Sequence, residues 1–327
     1  MNKKNIRFIV LLIIIITIIC GIYYNKLNQS YKDQLYRKIN IDKSSLNIFY
    51  LNVGQGDSTL IINGDYTMLI DAGNPADGYY ITEFLKTQGI KRIDYLIGTH
   101  IDDDHIGGMY KIIEQMDIGN VYVPNNQYSK NSYDSMKREL ERKNKAISTI
   151  NENEEYMLGS ASCKVLSVDN SSPSLDNDEA INDTSIVLEV DYKETKYLFM
   201  GDASSNIEKA LLEEVGKVDV LKVAHHGSNK STSREFLEKI NPTYSIISVG
   251  KNGYGHPSNK VLERLEEIKT KLYITQSNGT IWIKSNGENI EIEELEYNLD
   301  GANRKISCIE SLNMLYCFTK APSLLTT

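Results

Sequence analysis

The chain has 327 residues, of which 41% are hydrophobic and 24% are charged, so it can bury the core of one large domain or of two smaller ones. Acidic side chains outnumber basic ones by 44 to 36, which gives a formal net charge of -8. This balance excludes the basic footprint of a dedicated nucleic-acid binder, although metal ions in an acidic site reverse the local charge. The four cysteines form no CxxC motif and predict neither a zinc ribbon nor a disulfide framework.

The first segment has the pattern of a membrane anchor. Lys3, Lys4 and Arg7 precede the apolar run FIVLLIIIITIICGIYY, residues 8–24, which at about 1.5 Å per residue comes close to spanning a hydrocarbon core. No A-x-A-like cleavage site follows, so residues 1–25 are interpreted as an uncleaved signal anchor, with a cleaved signal peptide of a secreted protein as the alternative. The basic flank predicts a single-pass protein of the cell membrane whose remaining chain is extracytoplasmic.

A polar juxtamembrane linker is predicted for residues 26–45 and an organised domain for residues 46–295, while residues 296–327 show no clear period and stay unassigned. The domain opens with two strands of period two, LNIFYLNVG and STLIING, and continues with the strand TMLIDAG and the helix GYYITEFLKTQG. Further on, SYDSMKRELERKNKAI predicts an exposed amphipathic helix, SSPSLDNDEAIND an acidic loop, and SNGTIWIKSNGENIEIE a hairpin.

All five histidines follow apolar runs that predict strands. They are His100 and His105 in THIDDDHIGG, His225 and His226 in VDVLKVAHHGS, and His256 after YSIISVGKNGYG; Asp71 and Asp202 end two more such runs. In open α/β sheets, ligands and cofactors collect at the carboxyl ends of strands, so these side chains are expected to converge. A lone histidine is more often a satisfied core residue, but five at strand ends, interleaved with aspartate, favour a functional site.

Six motifs, LNVGQGDS, LIDAG, THIDDDHIGG, MGDA, HHGS and YGHP, occur in an order and spacing that resemble the metallo-β-lactamase fold, most closely the ComEC-type domains of DNA-uptake membrane proteins. The resemblance covers roughly residues 46–290. It implies an α/β protein, an αβ/βα sandwich with a dinuclear metal site at one edge of its two sheets, and a hydrolase. The only predicted membrane segment is the anchor, so the channel of those proteins, and with it DNA transport, is not expected.

The resemblance also implies roles for individual residues. His100 and Asp102 would hold the first of two divalent metal ions, Asp104 and His105 the second, and Asp202 would bridge them. Two ions held in this way share a hydroxide nucleophile, and Asp104 therefore counts among the catalytic residues as well.

Three further aspartates are candidates for the same site. Asp71 closes a strand beside it and would orient ligands rather than bind metal. Asp183 stands where the family often has another histidine ligand. Asp57 lies in the loop GQGDS and either faces the site or belongs to a tight turn between strands.

The pair His225 and His226 leaves two assignments open. Adjacent residues on an extended segment point to opposite faces, so at most one of the two is expected to reach the metals. Phosphodiesterases of this fold often keep one histidine as an acid and a later one as a ligand. By that resemblance His256 would complete the second metal and His225 or His226 would protonate the leaving oxygen; the reverse assignment stays open.

One departure from the family's H-x-H-x-D-H motif bears on the metal, because Asp102 replaces its second histidine. Imidazole suits zinc, whereas carboxylate oxygen suits harder ions, so manganese is expected, with zinc as the alternative. Two divalent ions would offset the carboxylates of Asp102, Asp104 and Asp202, and such a site receives a phosphodiester well.

The leading hypothesis is therefore a phosphodiesterase or nuclease that acts on a phosphodiester substrate, with DNA as one candidate. One alternative is a hydrolase of a cell-wall phosphodiester, an ester or a lactam. Another is a non-catalytic binding module on a degenerate fold. The sequence identifies no protein partner.

Overall fold

The computed structural model describes residues 3–35, 37–124, 130–171, 173–295 and 297. Apart from Tyr297, the tail that the sequence leaves unassigned lies outside these residues, as do Cys308 and Cys317. The helices are α1 (Lys3–Leu35), α2 (Asp77–Thr87), α3 (Asp103–Ile106), α4 (Met109–Gln115), α5 (Asn131–Arg142), α6 (Asp178–Asn182), α7 (Ser205–Leu211), α8 (Arg234–Ile240), α9 (Asn259–Glu267) and α10 (Thr275–Asn278), with a short 3-10 turn at Ala224–Gly227.

The strands form two seven-stranded sheets. The first contains β1 (Leu46–Tyr50), β2 (Thr59–Asn63), β3 (Tyr66–Ile70), β4 (Arg92–Ile97), β5 (Asp117–Tyr122), β13 (Thr280–Ser285) and β14 (Ile290–Leu295), in the order β14-β13-β1-β2-β3-β4-β5. The second contains β6 (Glu155–Leu158), β7 (Ala161–Ser167), β8 (Val187–Tyr192), β9 (Thr195–Phe199), β10 (Val220–Lys222), β11 (Tyr244–Ile247) and β12 (Lys271–Ile274), in the order β12-β11-β10-β9-β8-β7-β6.

Each sheet has an antiparallel half and a parallel half. In the first sheet β3, β4 and β5 run parallel, and in the second β9, β10, β11 and β12 do so. The carboxyl ends of parallel strands lie at one edge of a sheet, so the residues that follow these strands can meet. The hairpin predicted near residue 290 is confirmed, because β13 and β14 pair antiparallel.

Three buried apolar clusters show that the molecule has four layers. One cluster lies between the first sheet and helices α2, α4 and α5, where the Phe49 and Trp282 rings stack at 5.2 Å. A second lies between the two sheets and includes Tyr50 against Phe199. The third lies between the second sheet and helices α7, α8 and α9. The αβ/βα sandwich expected from the motifs is thereby confirmed.

Two local expectations were wrong. Every residue of β1 and β2 is buried, so neither strand has an exposed face of period two. Both sheet faces are covered, one by helices and one by the other sheet, and such strands have no solvent face. The acidic segment expected to be a loop contains α6, which the Asn177 side chain caps by accepting the Ala180 N–H at 3.1 Å.

The amino-terminal helix is the candidate membrane anchor. Its segment Asn5–Lys26 has a mean hydropathy of 2.8 over a length of 22 residues, and none of it is buried against the domain. By length and composition this helix can cross a membrane. It continues to Leu35, well into the segment expected to be a polar linker.

Candidate metal centre

The parallel strands of both sheets deliver their histidines and aspartates to one place. His100 follows β4 and lies with its ring centroid 4.1 Å from that of His105, which α3 carries. The His226 ring, in the turn after β10, lies 5.3 Å from His105 on its other side. Asp202, after β9, is 4% exposed and contacts both His105 and His226. The convergence expected at the strand ends is present.

His105 is held in a fixed orientation. Its Nδ1 lies 2.9 Å from Asp71 Oδ2, and its Nε2 lies 3.2 Å from Asp202 Oδ1. Asp71 in turn accepts the Thr99 N–H at 2.8 Å and the Thr99 hydroxyl at 2.9 Å. When Nδ1–H donates a hydrogen bond to a carboxylate, the Nε2 lone pair is free to bind a metal ion. Metal-binding histidines have this arrangement.

Several buried atoms of the cluster have no hydrogen bond. In the part of the chain that the structure describes, no hydrogen-bond partner exists for Nε2 of His100, His105 or His226, or for Asp202 Oδ1. Leaving such atoms unpaired in the interior costs about 1–3 kcal/mol each. Three groups of potential metal ligands have all their atoms within 4.8 Å; two of them contain these unpaired residues, His100 with His105 and Asp202, and Asp104 with His105 and His226, and the third joins Asp57 and Asp71 to His105. These donors fit divalent metal ions.

The electrostatics of the cluster support this reading. Burial disfavours a charged His226, but Asp202 and Asp57 outweigh it and raise the pKa of His226 to about 9. Burial also opposes ionisation of Asp202, yet the imidazoles of His105, His226 and His225 lower the pKa of its carboxyl well below the usual range. Protons thus compensate the carboxylates, and a metal ion would displace them as it binds.

The two adjacent histidines do not point to opposite faces. The expectation of an extended segment was wrong, because His225 and His226 form a left-handed turn with φ of 49° and 52°. As a result Nε2 of each ring lies 3.7 Å from Asp202 Oδ2. The His226 Nδ1 donates to the Ser248 carbonyl at 2.9 Å, which directs its Nε2 toward Asp104 Oδ2 at 3.3 Å.

His256 lies on the wall of the cleft, apart from the three buried imidazoles. Its ring lies 5.3 Å from that of His225, outside all three groups of potential ligands. Burial and the neighbouring His225 lower the pKa of His256. The structure therefore places His226, and not His256, beside Asp104 and His105.

The remaining aspartate candidates lie at the margin of the centre. Asp102 accepts Lys130 Nζ at 2.5 Å through one oxygen, and its other oxygen lies 3.5 Å from His100 Nε2. Burial alone would raise the pKa of the Asp102 carboxyl, but His100 and Lys130 outweigh burial and lower it. Asp183 accepts the Ser204 N–H at 2.9 Å and belongs to none of the three groups of potential ligands.

Asp57 is engaged by a lysine that sequence reasoning missed. Lys222 and Asp57 are 3% and 4% exposed and form an ion pair of 2.8 Å. Asp57 and Asp71 also lie near His105, but each has its own partner, Lys222 or Thr99. Removing one partner of a buried pair costs about 3–5 kcal/mol. A lysine inside the apolar run VDVLKVA was the available signal, since a buried strand holds a charge only where that charge is paired.

A cleft of about 760 Å³ opens over the centre and exposes it to solvent. Its walls carry five aspartates against two lysines, Lys130 and Lys230. The rim also holds Tyr254, whose side chain is 76% exposed. Without cations this cleft repels an anionic substrate, and with them it attracts one.

The fold and this centre define a class of protein, which comparison with known families identifies. The family model described as the metallo-beta-lactamase superfamily matches residues 51–172 and 179–251, more than half of the chain. The chain belongs to the metallo-beta-lactamase superfamily. All the candidate site residues except His256 fall inside the matched stretches.

Relatives narrow the comparison to the competence branch that the motifs resemble. ComE operon protein 3 of Bacillus subtilis is 31% identical over 201 residues, which cover 61% of this chain and 25% of that protein. Recombination protein 2 of Haemophilus influenzae is 28% identical over 260 residues, or 78% of this chain and 31% of that protein. The similarity to ComEC-type domains is thereby confirmed. The chain spans a quarter to a third of the length of these relatives.

One solved structure supports the fold, and a second has a slightly lower TM-score. CmlA, a diiron beta-hydroxylase from Streptomyces venezuelae, matches with a TM-score of 0.50 at 15% identity, over 73% of this chain and 54% of that one. The metallo-beta-lactamase fold protein YhfI from Bacillus subtilis matches with a TM-score of 0.48 at 11% identity, over 71% of this chain and 97% of that one. At these identities the likeness extends to the fold alone.

Proposed function

We propose that this protein is a membrane-anchored, metal-dependent phosphodiesterase that hydrolyses DNA on the extracytoplasmic side of the membrane. The observation that carries the proposal is the set of buried imidazole Nε2 atoms without hydrogen bonds, gathered around Asp202 at the floor of an open cleft. Such a set is costly in an interior unless cations complete it. Two divalent ions in it would supply Lewis-acid catalysis at the phosphate and a nucleophile at neutral pH.

The ligand assignment follows the contacts of the described side chains. His100, with Asp102 beside it, would hold one ion, and Asp104 and His105 would hold the other. Asp202 would be shared by both sets, since its Oδ1 faces His105 and its Oδ2 faces the two histidines of the turn. We therefore assign it as the bridging carboxylate. His226 joins Asp104, because its Nδ1 is already committed to the Ser248 carbonyl.

The remaining histidines are assigned to the leaving group. His225 is partly exposed on the cleft wall, and His256 lies next to it. Both imidazoles line the cleft, so either one is placed to act as the proton donor to an oxygen that enters it. Asp71 orients His105 and Asp57 compensates Lys222; neither is assigned to a metal ion.

The choice of DNA rests on the named relatives together with the charge of the cleft. Recombination protein 2 and competence protein ComA of Neisseria gonorrhoeae, which is 26% identical over 251 residues, carry names connected with DNA.

The basic flank of the anchor supports the extracytoplasmic placement of the domain. Manganese is the proposed metal and zinc the alternative, because Asp102 offers oxygen where the family motif has nitrogen.

The test uses the full-length protein in detergent, stripped of metal and then reloaded with manganese or zinc. We expect metal-dependent cleavage of single-stranded DNA and of bis-p-nitrophenyl phosphate, and none of a lactam. Asp202→Asn should lower the rate by at least about 100-fold, as removal of a group that acts on the transition state does. Asp178→Asn is the matched control, since Asp178 lines the same cleft but is exposed on α6.

Two results would overturn the proposal. Full activity of Asp202→Asn would remove the two-metal mechanism. Turnover of the lactam alone, or failure of the stripped protein to bind either metal, would instead favour another hydrolase or a binding module.

A further inference from the structure

A tyrosine stands exposed at the lip of the cleft. Tyr254 is 76% exposed, the highest fraction recorded for a large hydrophobic side chain in the described part of the molecule. Its ring lies 5.8 Å from that of His256, tilted by 31°, and it lines the same cleft as Asp104 and Asp202. Aromatic side chains usually bury about 150–250 Å² on folding, so a ring that is 76% exposed gains little from the fold itself.

The position of this ring is fixed by the loop that carries it. The Asn252 side chain donates to the carbonyls of Gly250 at 2.9 Å and His256 at 2.7 Å. Its Oδ1 accepts the backbone N–H groups of Tyr254 at 3.0 Å and His256 at 3.1 Å. One half-buried amide thus ties the loop at four points. The tyrosine is presented to the cleft by a built turn rather than by a loose tip.

Two lysine side chains lie at the same rim of the cleft. Lys230 lines the cleft and is 59% exposed, and its Nζ lies 3.4 Å from the exposed Glu179. Lys130 lines it as well and pairs with Asp102. An exposed aromatic ring combined with lysines beside a phosphodiester site is the arrangement by which proteins hold nucleic-acid strands, through base stacking and phosphate contacts.

We propose that Tyr254 is the platform on which a nucleobase next to the scissile phosphodiester stacks. The inference rests on the proposed phosphodiesterase function. It adds that the site selects a substrate with a planar base beside the scissile diester. Stacking on a ring held beside His256 places the adjacent phosphate over the centre. The site then prefers a diester flanked by a planar base to one without a base, and Tyr254 is a specificity residue.

The experiment compares two strands that differ only in their bases. Full-length protein in detergent, loaded with manganese or with zinc, is assayed on an oligothymidylate and on a strand of equal length made of abasic tetrahydrofuran units. Wild type should show a KM for the oligothymidylate that is roughly 5- to 150-fold lower, the range expected for one stacked base. Tyr254→Ala should abolish this selectivity, and Tyr254→Phe should restore it.

The matched control is Tyr66→Ala. Tyr66 is 51% exposed but begins β3, at the end of the strand opposite the centre, so its loss should leave the selectivity at the wild-type value. Binding is measured separately by fluorescence anisotropy with Asp202→Asn protein, with and without Tyr254→Ala. This second readout does not require turnover.

The outcomes separate the two proposals. If both strands are cleaved with equal KM whatever residue stands at 254, the stacking inference fails and the phosphodiesterase stands. If neither strand is cleaved with manganese or with zinc, the proposed function fails. In that case, equal anisotropy-derived Kd values for the two strands would reject the stacking inference too, whereas tighter binding of the oligothymidylate that Tyr254→Ala abolishes would support it.

Discussion

The contact between Asp71 and His105 allows the metal centre to be tested through a residue that is not assigned to a metal. Replacing Asp71 by asparagine removes one negative charge and keeps the volume of the side chain. The backbone at this position is left-handed, with φ of 59°, and asparagine is among the few residues other than glycine that tolerate it. The substitution therefore changes the hydrogen bonds without adding backbone strain.

The magnitude follows from the bonds that the carboxylate accepts. Asp71 accepts the Thr99 N–H and hydroxyl and lies 2.9 Å from His105 Nδ1. An asparagine amide can keep the Thr99 contacts through its oxygen, but its NH2 group then meets Nδ1–H, donor against donor. His105 must move its proton to Nε2, which faces Asp202. Losing one charge-assisted hydrogen bond costs about 1.5–3 kcal/mol, and loss of such a partner weakens metal binding roughly 10- to 100-fold.

The assay is competition with a chromophoric chelator, using full-length protein in detergent. We expect Asp71→Asn to raise the metal Kd roughly 10- to 100-fold, or about 1.4–2.8 kcal/mol. Urea unfolding of the apo protein should show a loss of about 1.5–3 kcal/mol. Asp117→Asn is the control, because its side chain is 58% exposed and pairs only with the exposed Arg92, and it should change the Kd by less than twofold. A metal Kd for Asp71→Asn within twofold of wild type would refute the reasoning.

Three further outcomes are expected. Manganese should restore more phosphodiesterase activity to the apo protein than zinc, and Asp102→His should reverse or narrow that order; best reactivation by zinc, unchanged by the substitution, would contradict this. Protease added to intact cells with a permeable wall should digest the domain, and protection until lysis would show the opposite orientation. Burial raises the pKa of the Glu208 carboxyl above its ordinary 4.5, although backbone hydrogen bonds from Ser233 and Thr232 oppose the shift. The protonated carboxyl therefore contributes fully to the free energy of unfolding below pH 4.5, and this contribution is lost as the pH rises through the pKa of the folded state. Glu208→Gln should remove this component, and a difference in unfolding free energy between variant and wild type that stays constant from pH 4 to pH 8 would contradict it.

The fold and the location of the centre were predictable because both depend on patterns local to the sequence. Several apolar runs lead into an aspartate or a histidine, as in LIDAG and MGDA, and a run of this length between turn residues predicts a strand. Parallel strands then bring their ends together whatever the details of packing. The convergence of Asp71, His100 and Asp202 therefore required only the topology, which the order of the six motifs indicated.

What remained unpredicted depends on backbone conformation and on contacts between distant residues. The Lys222–Asp57 pair joins residues 165 positions apart, and Lys130 reaches Asp102 from 28 positions away. No periodicity records such partners. The sequence does not single out Tyr254 either, because the four hydrogen bonds of Asn252 that present it become visible only in the folded loop.

The left-handed turn at His225 and His226 is the clearest of these features. It predicts that glycine at position 225 gives a more stable protein than alanine, the reverse of the usual order. At ordinary positions alanine stabilises a protein by roughly 0.5–1 kcal/mol more than glycine does. At φ of 49° an alanine keeps the steric cost of the left-handed region, about 1–2 kcal/mol, which glycine does not carry. His225→Ala and His225→Gly both remove the ring, and both keep the backbone hydrogen bond from the N–H of residue 225 to the Gly201 carbonyl at 3.0 Å. The two variants therefore differ only in the steric cost of the left-handed backbone and in the entropy of the unfolded chain. We expect His225→Gly to unfold at a higher urea concentration than His225→Ala, while at exposed Lys260 in α9 the alanine variant should be the more stable of the pair. If alanine is also the more stable residue at position 225, the turn is not held in the left-handed conformation, and the joint approach of both imidazoles to Asp202 loses its basis.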